Sequence, residues 1–302
     1  MISIQQMEYI LALSEERQFQ RASERCFVTQ PTLSMQLKKA ESVLGAPIFD
    51  RSRSPIELTP FGERLLPIIR DVLTSYEQIQ VLTEKSDGTY IERIRVGVIP
   101  TIAGYLVARA FEDWKELLPT TQLTIRELKT EELLLAIEKR EIDLGILAGP
   151  ISDPKLRTTV LYEEEILAYT GRICDEEITT QELESMQPWL LTEGNCLRTQ
   201  MVHFCQLEQE GEGWSYEGGN LTLLQEMVAR QGGYTLVPLY SREEKEGYAR
   251  IRSETNEHPA RQVIALTANK SSKWPSMEKL IRDVQLRYGS KSKNEFQLLS
   301  WK

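Results

Sequence analysis

The sequence predicts a small all-α domain with a short β-wing, a long linker helix and an α/β domain, in that order. Apolar residues recur at helical spacing through residues 1–80, whereas short alternating strand-like runs and helical runs follow one another from Arg93 onward. Hydrophobic residues make up 41% of the 302 residues and charged ones 27%, which supports a sizeable core and argues against global disorder.

The composition also predicts where the protein works. No run of 18 apolar residues occurs, so we expect no membrane span, and the first residues lack the pattern of a signal peptide. We therefore predict a cytoplasmic protein. Four cysteines are too few for a disulfide framework, and a disulfide that forms in that compartment is usually transient or redox-sensing.

The first sixty residues predict three short helices. A capping box of Ser3 and Gln6 begins the first, and the second is predicted over residues 20–26. Thr29 is predicted to cap the third, and Pro31 fits its first turn because that amide has no helical partner. The buried side of the third helix is predicted to consist of Leu33, Leu37 and Ala40.

Two helices, a tight turn and a third helix with a polar face are typical of a helix-turn-helix that enters the major groove of DNA. Residues 49–59 predict a β-wing beside it. The net charge of −9 opposes nucleic-acid binding, but binding depends on local clusters of basic side chains rather than on the total charge. Residues 1–88 carry 10 basic and 12 acidic side chains and are therefore close to neutral. The alternative is a helical subdomain with a solvated basic face. The predicted DNA contacts are Thr29, Gln30, Pro31, Thr32, Ser34, Lys38, Lys39, Arg51 and Arg53.

A long helix is predicted to begin at Thr59 and Pro60. Its apolar residues recur at steps of 4, 3, 4 and 3, which is typical of a seam between two helices, although an ordinary amphipathic helix would show much the same over two heptads. Residues 86–89 are predicted to end the helix and begin a hinge. The predicted seam consists of Leu65, Ile69, Val72, Tyr76 and Ile79.

The rest of the chain alternates strands with helices, which predicts a parallel α/β sheet. The predicted strands cover residues 94–99, 123–127, 142–148, 189–192, 234–237 and 263–267, and a last helix covers 276–288. Thr101 and Thr130 each follow a strand and precede a helix, where such sheets bind ligands, but each is equally a candidate helix cap. The polar tail after Gly289 is a candidate for disorder.

Cys196 and Cys205 are nine residues apart, which fits no Cys-x-x-Cys site. An intact helix would hold them roughly 13 Å apart, whereas a disulfide requires Cα atoms within about 7 Å. A bond between them therefore requires the segment to refold. Cys196 follows Asn195 at a predicted helix start, where backbone amides, the helix dipole and the nearby Arg198 would favour a thiolate. Two core-facing cysteines are the alternative.

Several segments resemble the LysR-type transcriptional regulators, namely residues 22–34, 37–45, 48–51 and 58–62, in the order and spacing of that family. The resemblance implies a winged helix-turn-helix over 1–58, a linker helix over 59–88 that pairs two subunits, and a periplasmic-binding-protein-like effector domain over 92–290. That domain would have two Rossmann-like lobes, lobe I over 92–163 and 263–290 and lobe II over 164–262, followed by a tail over 291–302. The implied partners are double-stranded operator DNA, RNA polymerase and further copies of the chain in a dimer of dimers.

Within that family, residues 99–101, 127–130 and 191–205 are most similar to the hydrogen-peroxide sensors. This resemblance implies that Cys196 reacts with peroxide, that Cys205 resolves the product into a disulfide, and that a cellular thiol reductant restores the dithiol. It implies an activator of antioxidant genes, without cofactor, metal or enzymatic turnover. The residues that it places around the peroxide are Thr101, Thr130, Asn195, Arg198 and Gln225.

The chain departs from the peroxide sensors at two positions. They commonly have His before the reactive cysteine and Arg in the helix over 221–229, where this chain has Asn195 and Gln225. The departures leave open which groups activate the thiol. His203 is interpreted as a surface or packing residue, with a substitute role as the alternative. Cys26 and Cys174 are interpreted as bystanders. The rival functions are a regulator that binds a small inducer between the lobes and, in another class, a thiol peroxidase.

Overall fold

The structure is a computed structural model that describes residues 1–84, 91–171, 176–205, 218–253, 257–269, 271, 273–289 and 296–299. It divides into two compact units, one of residues 1–90 with 138–140 and one of the remaining residues. Cys174, Leu207 and the predicted hinge over 86–89 lie outside the described residues.

The first unit contains three short helices, a two-stranded wing and a long helix: α1 Ile4–Glu16, α2 Phe19–Arg25, α3 Gln30–Leu44, β1 Phe49–Asp50, β2 Glu57–Leu58 and α4 Pro60–Glu84. Both predicted caps are present, because Ser3 and Gln6 form the capping box of α1 and the Thr29 hydroxyl accepts from the Thr32 amide at the start of α3. Leu33, Leu37 and Ala40 are fully buried, as predicted.

The long helix α4 contributes to two surfaces. Leu65 and Ile69 of the predicted seam pack into the core of the first unit, as an ordinary amphipathic helix would. Val72 and Ile79 are exposed, and Ile68 adds a third exposed apolar side chain. The seam therefore stays a prediction for the residues from Val72 onward, where exposed apolar side chains have no cover in the described unit.

The second unit is built on a mixed sheet of nine strands, in the order β4-β3-β5-β10-β6-β9-β7, with β11 on β10 and β8 on β6. β3 is parallel to β4 and β5, as the predicted strand–helix alternation requires. The strands are β3 Glu92–Val98, β4 Thr121–Glu127, β5 Leu144–Ala148, β6 Leu156–Tyr169, β7 Glu177–Thr179, β8 Thr235–Pro238, β9 Tyr248–Arg252, β10 His258–Ala268 and β11 Phe296–Leu298.

The two longest strands, β6 and β10, run antiparallel through both lobes and join them. One end of each strand belongs to the sheet of lobe I and the other end to lobe II, where β6 also pairs with β8 and β9. The helices that cover the sheet are α5 Pro100–Leu117, α6 Thr130–Glu138, α7 Thr180–Glu184, α8 Cys196–Phe204, α9 Leu221–Gln231 and α10 Trp274–Tyr288, and a short 3₁₀ turn spans Leu239–Ser241.

Two predictions about lobe II and the tail are wrong. Residues 189–192 do not form a strand, because the described pairing there is limited to a single parallel bridge between Pro188 and Tyr234, and the Thr192 amide donates instead to the Gly218 carbonyl. The tail is not disordered throughout, since Phe296–Leu298 pairs with β10 and Leu299 is buried.

None of the described helices is both long and apolar enough to cross a membrane. The described residues also contain no group of three or more His, Cys, Asp or Glu side chains arranged to hold a metal ion.

Candidate redox site and DNA-binding surface

Both cysteines of the candidate pair lie on one intact helix. Cys196 is the first residue of α8, and Cys205 is its C-cap, where the Cys205 amide donates to the Met201 carbonyl at 3.0 Å. Both are free thiols and both are buried. Nine residues of helix separate them by roughly 13 Å, so this is a dithiol state in which no bond can form without unwinding α8.

A tight turn places Cys196 at the start of the helix. Gly194 has a φ of 81°, a left-handed conformation that favours glycine. The Lys129 ammonium donates to the Glu193 carbonyl at 3.0 Å and so ties the turn to the segment before α6. Cys196 then packs in the core of lobe I, while Leu197 and Met201 pack in the core of lobe II. The N-terminus of α8 therefore bridges the two lobes.

Some features of the environment of Cys196 raise the pKa of its thiol, and others lower it. Burial raises the pKa of the Cys196 thiol, and this is the largest effect. The charge of Arg261, the Thr130 hydroxyl and the amides of Cys196 and Leu197 at the helix start lower it. The net result is a pKa above the ordinary range, so the resting thiol is mostly protonated at neutral pH.

Arg261 is the site residue that the sequence analysis missed. It lies on β10 with its side chain fully buried. Its guanidinium donates to the Thr101 hydroxyl at 2.8 Å, the Thr101 carbonyl at 3.0 Å and Glu164 Oε2 at 2.9 Å. No local sequence motif surrounds this arginine, so the sequence does not single it out. Its burial does, because arginine side chains are rarely fully buried.

Glu164 and a group of tyrosines complete the surroundings of Arg261. The Tyr105 hydroxyl donates to Glu164 Oε2 at 3.0 Å, and the Tyr240 amide donates to Glu164 Oε1 at 3.0 Å. Tyr105 and Tyr162 also share a short hydrogen bond between their hydroxyls. Burial raises the pKa of both tyrosines well above the ordinary value, so they are neutral hydrogen-bonding groups at physiological pH.

The two threonines predicted near the site lie in the first turns of α5 and α6, one or two residues after the N-cap positions. Thr101 is the second residue of α5, and its hydroxyl accepts from Arg261. Thr130 is the first residue of α6 and is buried, and its hydroxyl completes no hydrogen bond of normal geometry within the described residues. That leaves the Thr130 hydroxyl available to Cys196, whose pKa it lowers.

The polar residues next to Cys196 on α8 point away from the thiol. The Asn195 amide donates to the Thr192 carbonyl at 2.9 Å and to its hydroxyl at 3.1 Å. Arg198 donates to the Leu191 carbonyl at 3.0 Å. The positive charge that lowers the pKa of the thiol is that of Arg261, which replaces Arg198 in the sequence-based interpretation. His203 is exposed and lies in the last turn of α8, not in a loop.

Gln225 lies on α9 and is buried, and its side-chain oxygen accepts a short hydrogen bond from the Tyr248 hydroxyl. It lines a cavity of about 610 Å³ between the lobes. Thr101 and Tyr240 line the same cavity, so Gln225 faces the interlobe cleft. Cys196 does not line this cavity.

Cys205 occupies an apolar environment in lobe II. It packs with Leu197, Met201 and Leu224. Burial raises the pKa of its thiol, and the Tyr234 hydroxyl partly offsets this. Cys205 is therefore an unreactive thiol in this state. Cys26 lies half-buried in the first unit, and burial likewise raises the pKa of its thiol.

The predicted DNA contacts form a surface on the first unit. Seven of the nine are exposed, and Thr32 and Ser34 are half-exposed. Pro31, Ser34, Lys38 and Lys39 line a shallow depression on α3. In the wing, Arg51 pairs with Glu41 at 2.7 Å and Arg53 with Glu57 at 2.7 Å. Both arginines must exchange these partners to reach a phosphate.

Two solved structures share this architecture. A full-length OxyR variant from Pseudomonas aeruginosa matches with a TM-score of 0.77 and 27% identity, over 95% of each chain. Reduced OxyR from Porphyromonas gingivalis matches with a TM-score of 0.59 and 29% identity, over 68% of this chain and all of that one.

Two sequence relatives are equally similar. The HTH-type transcriptional regulator EstR of Acinetobacter baylyi is 28% identical over 239 residues, and the DNA-binding transcriptional dual regulator OxyR of Escherichia coli is 28% identical over 244. Each alignment covers 78% of this chain and 79% of the relative. Overall sequence identity therefore does not show which of these two regulators this chain resembles more in function.

Two family models match along the chain. The bacterial regulatory helix-turn-helix of the lysR family covers residues 4–63, and the LysR substrate binding domain covers residues 87–285. The second match alone spans more than half of the sequence. The chain therefore belongs to the LysR-type transcriptional regulators.

Proposed function

We propose that this chain is a peroxide-sensing transcriptional regulator in which hydrogen peroxide oxidises Cys196 and Cys205 resolves the product. The observation that carries the proposal is the pair of buried free thiols at the two ends of α8, with the Thr130 hydroxyl and the Arg261 charge acting on Cys196. The likeness to OxyR structures over 95% of the chain supports the same function.

The chemistry takes two steps. The Cys196 thiolate attacks one peroxide oxygen, the O–O bond breaks, hydroxide leaves, and Cys196 becomes a sulfenic acid. The Cys205 thiol then attacks the sulfenic sulfur, which forms the disulfide and releases water. In this proposal the Arg261 charge stabilises the attacking thiolate, and the Thr101 and Thr130 hydroxyls hydrogen-bond the peroxide. An external dithiol returns both residues to thiols.

Oxidation acts on transcription because the disulfide cannot form on an intact α8. We infer that the bond unwinds the helix, that the effector domains rearrange, and that the DNA-binding units change their spacing on operator DNA. In this proposal the protein acts in the cytoplasm as a dimer of dimers. It activates antioxidant genes together with RNA polymerase, and it makes one oxidation per signalling event rather than turning over as an enzyme.

The decisive measurement is mass-spectrometric mapping of disulfides before and after brief treatment with micromolar peroxide, combined with DNA footprinting. A bond between residues 196 and 205 should appear only after treatment. Cys205→Ser should stop at a sulfenic acid that dimedone traps, and Cys26→Ser serves as the matched control and should behave like the wild type. A Cys196→Ser protein whose footprint still changes fully with peroxide would refute the mechanism.

A second candidate is a regulator that binds a small inducer. The interlobe cavity of about 610 Å³ favours it. In that case an inducer rather than an oxidant alters the footprint, and the double variant Cys196→Ser/Cys205→Ser keeps its full response.

A further inference from the structure

Arg261 has a fixed counter-ion. In the antiparallel pairing of β6 with β10, Glu164 lies directly opposite Arg261. Their side chains are both 0% exposed and form an ion pair at 2.9 Å. A buried cation is costly without an anion, so this carboxylate holds the guanidinium in place.

The position of Glu164 is itself fixed from two further elements. Tyr105 on α5 donates to the same oxygen that Arg261 uses, and the Tyr240 amide in the 3₁₀ turn donates to the other oxygen. Two further N–H groups of Arg261 donate to the hydroxyl and the carbonyl of Thr101. The guanidinium therefore has little freedom to turn toward a new partner.

Of the described groups whose charge acts on Arg261, two can be anionic at neutral pH, the Glu164 carboxylate and the Cys196 thiolate. The titratable groups that act on it are Glu164 and Tyr162 from β6, Tyr105 from α5 and Cys196 from α8. Burial raises the pKa of both tyrosines, and that of Tyr240 and Tyr288 behind them, so all four stay neutral. The other nearby charges have partners of their own: Arg109 faces Tyr288, while Arg250 and His258 face Glu165 on the other side of β6.

We propose that Glu164 competes with the Cys196 thiolate for the Arg261 guanidinium and so limits how readily reduced Cys196 reacts. The inference rests on the proposed role of Cys196 and adds a tuning residue to it. Because the ion pair neutralises the guanidinium, ionising the thiol leaves two anions for one buried cation. Without the Glu164 charge, the thiolate becomes the best remaining counter-ion of Arg261, and ionisation is favoured.

The test is the pH dependence of Cys196 alkylation by iodoacetamide in the full-length dithiol protein, followed by mass spectrometry of the Cys196 peptide. Glu164→Gln should lower the midpoint of the profile by about one pH unit, which is about tenfold faster alkylation at pH 7. Glu165→Gln is the matched control, because it also removes a buried carboxylate from β6 and breaks an ion pair, that with Arg250. Its midpoint should equal that of the wild type.

A general loosening of the fold would move both variants together, so equal shifts in Glu164→Gln and Glu165→Gln overturn the inference, as does an unchanged or raised midpoint in Glu164→Gln. If Glu164→Gln does not fold, the alkylation rate of a Tyr105→Phe protein tests the inference instead. Removing that hydroxyl leaves more of the carboxylate charge for Arg261, so alkylation at pH 7 should become severalfold slower, and an equal or faster rate overturns the inference.

The same proteins separate this inference from the proposed function. If a Cys196→Ser protein still responds fully to peroxide, the proposed function is refuted. If peroxide oxidises Cys196 in the wild type but the alkylation profile of Glu164→Gln is unshifted, only the proposed role of Glu164 is refuted.

Discussion

Thr130 shows how a single buried group can serve chemistry at the expense of packing. Its hydroxyl is buried and completes no normal hydrogen bond within the described residues, a state that ordinarily destabilises a fold. The same hydroxyl lowers the pKa of the Cys196 thiol. In the proposed mechanism this position therefore exchanges some stability of the fold for a more reactive Cys196 thiol.

Thr130→Val should separate these two effects. Valine has nearly the same shape, so unfolding stability should stay equal or rise, whereas alkylation of Cys196 at neutral pH should slow about tenfold, because a hydrogen bond to a charged group contributes about 1.5–3 kcal/mol. Thermal unfolding and iodoacetamide kinetics measure the two quantities. Thr267→Val is the control, since Thr267 is also buried with an unpartnered hydroxyl in the described region. Equal alkylation in both variants would contradict this role.

The candidate site was only partly predictable from residue types. Cys196, Cys205, Thr101 and Thr130 stand in recognisable local patterns. Arg261 does not, because its meaning depends on Glu164, which lies 97 residues earlier and comes opposite it only through the pairing of β6 with β10. The sequence predicts that Arg198 favours the Cys196 thiolate, but its guanidinium donates to the Leu191 carbonyl instead, a contact that the local sequence does not reveal.

At the scale of elements, α8 and the C-terminal strand β11 depend on each other. Gln200, between the two cysteines, donates to the Leu299 carbonyl at 3.2 Å. Leu299 packs in the same apolar cluster as Cys205, and its amide donates to the Ala260 carbonyl at 2.8 Å. Unwinding α8 removes the apolar cluster and the Gln200 hydrogen bond, so that the short pairing with β10 alone remains to hold the tail.

We therefore expect oxidation to release residues 296–299. Hydrogen–deuterium exchange of the C-terminal peptide should be slow in the dithiol protein and fast after peroxide. Cys205→Ser is the control, because it cannot form the disulfide and should keep its protection. Continued slow exchange in protein with a mapped 196–205 bond would mean that α8 stays wound near Gln200.

Elements defined by local signals were predictable, and those defined by distant partners were not. The caps of α1 and α3 depend on residues three apart, so the sequence alone places both helices. The segment over 189–192 has strand-like composition, but its described pairing is one bridge at Pro188, and the Thr192 amide donates to the distant Gly218 carbonyl instead. Conversely, the polar tail forms β11 because β10 offers it a free edge beside β5.

At the scale of the whole molecule, the exposed apolar residues of α4 require a partner. Ile68, Val72 and Ile79 are 60%, 36% and 60% exposed. Their spacing of 4 and 7 places them along one side of the helix. A second copy of α4 with the same side would cover them, which agrees with the dimer proposed for this chain.

Ile79→Lys should weaken self-association, because a charge in this apolar seam must lose its hydration when two copies meet. Sedimentation velocity of the full-length protein measures the shift toward smaller species. Thr74→Lys is the control, since residue 74 lies on the opposite side of α4 and should leave the assembly unchanged. An unaltered assembly in Ile79→Lys would place the dimer contact elsewhere.

The spacing of the thiols on α8 also governs which reagents can bind the resting protein. Zinc and trivalent arsenic hold two sulfur atoms at once, with each Zn–S bond about 2.3 Å long. Thiols at the two ends of a wound helix cannot meet that requirement, and both are buried. The wound helix thereby protects the dithiol form from reagents that must bridge both sulfur atoms, so such a reagent can bind only after α8 unwinds.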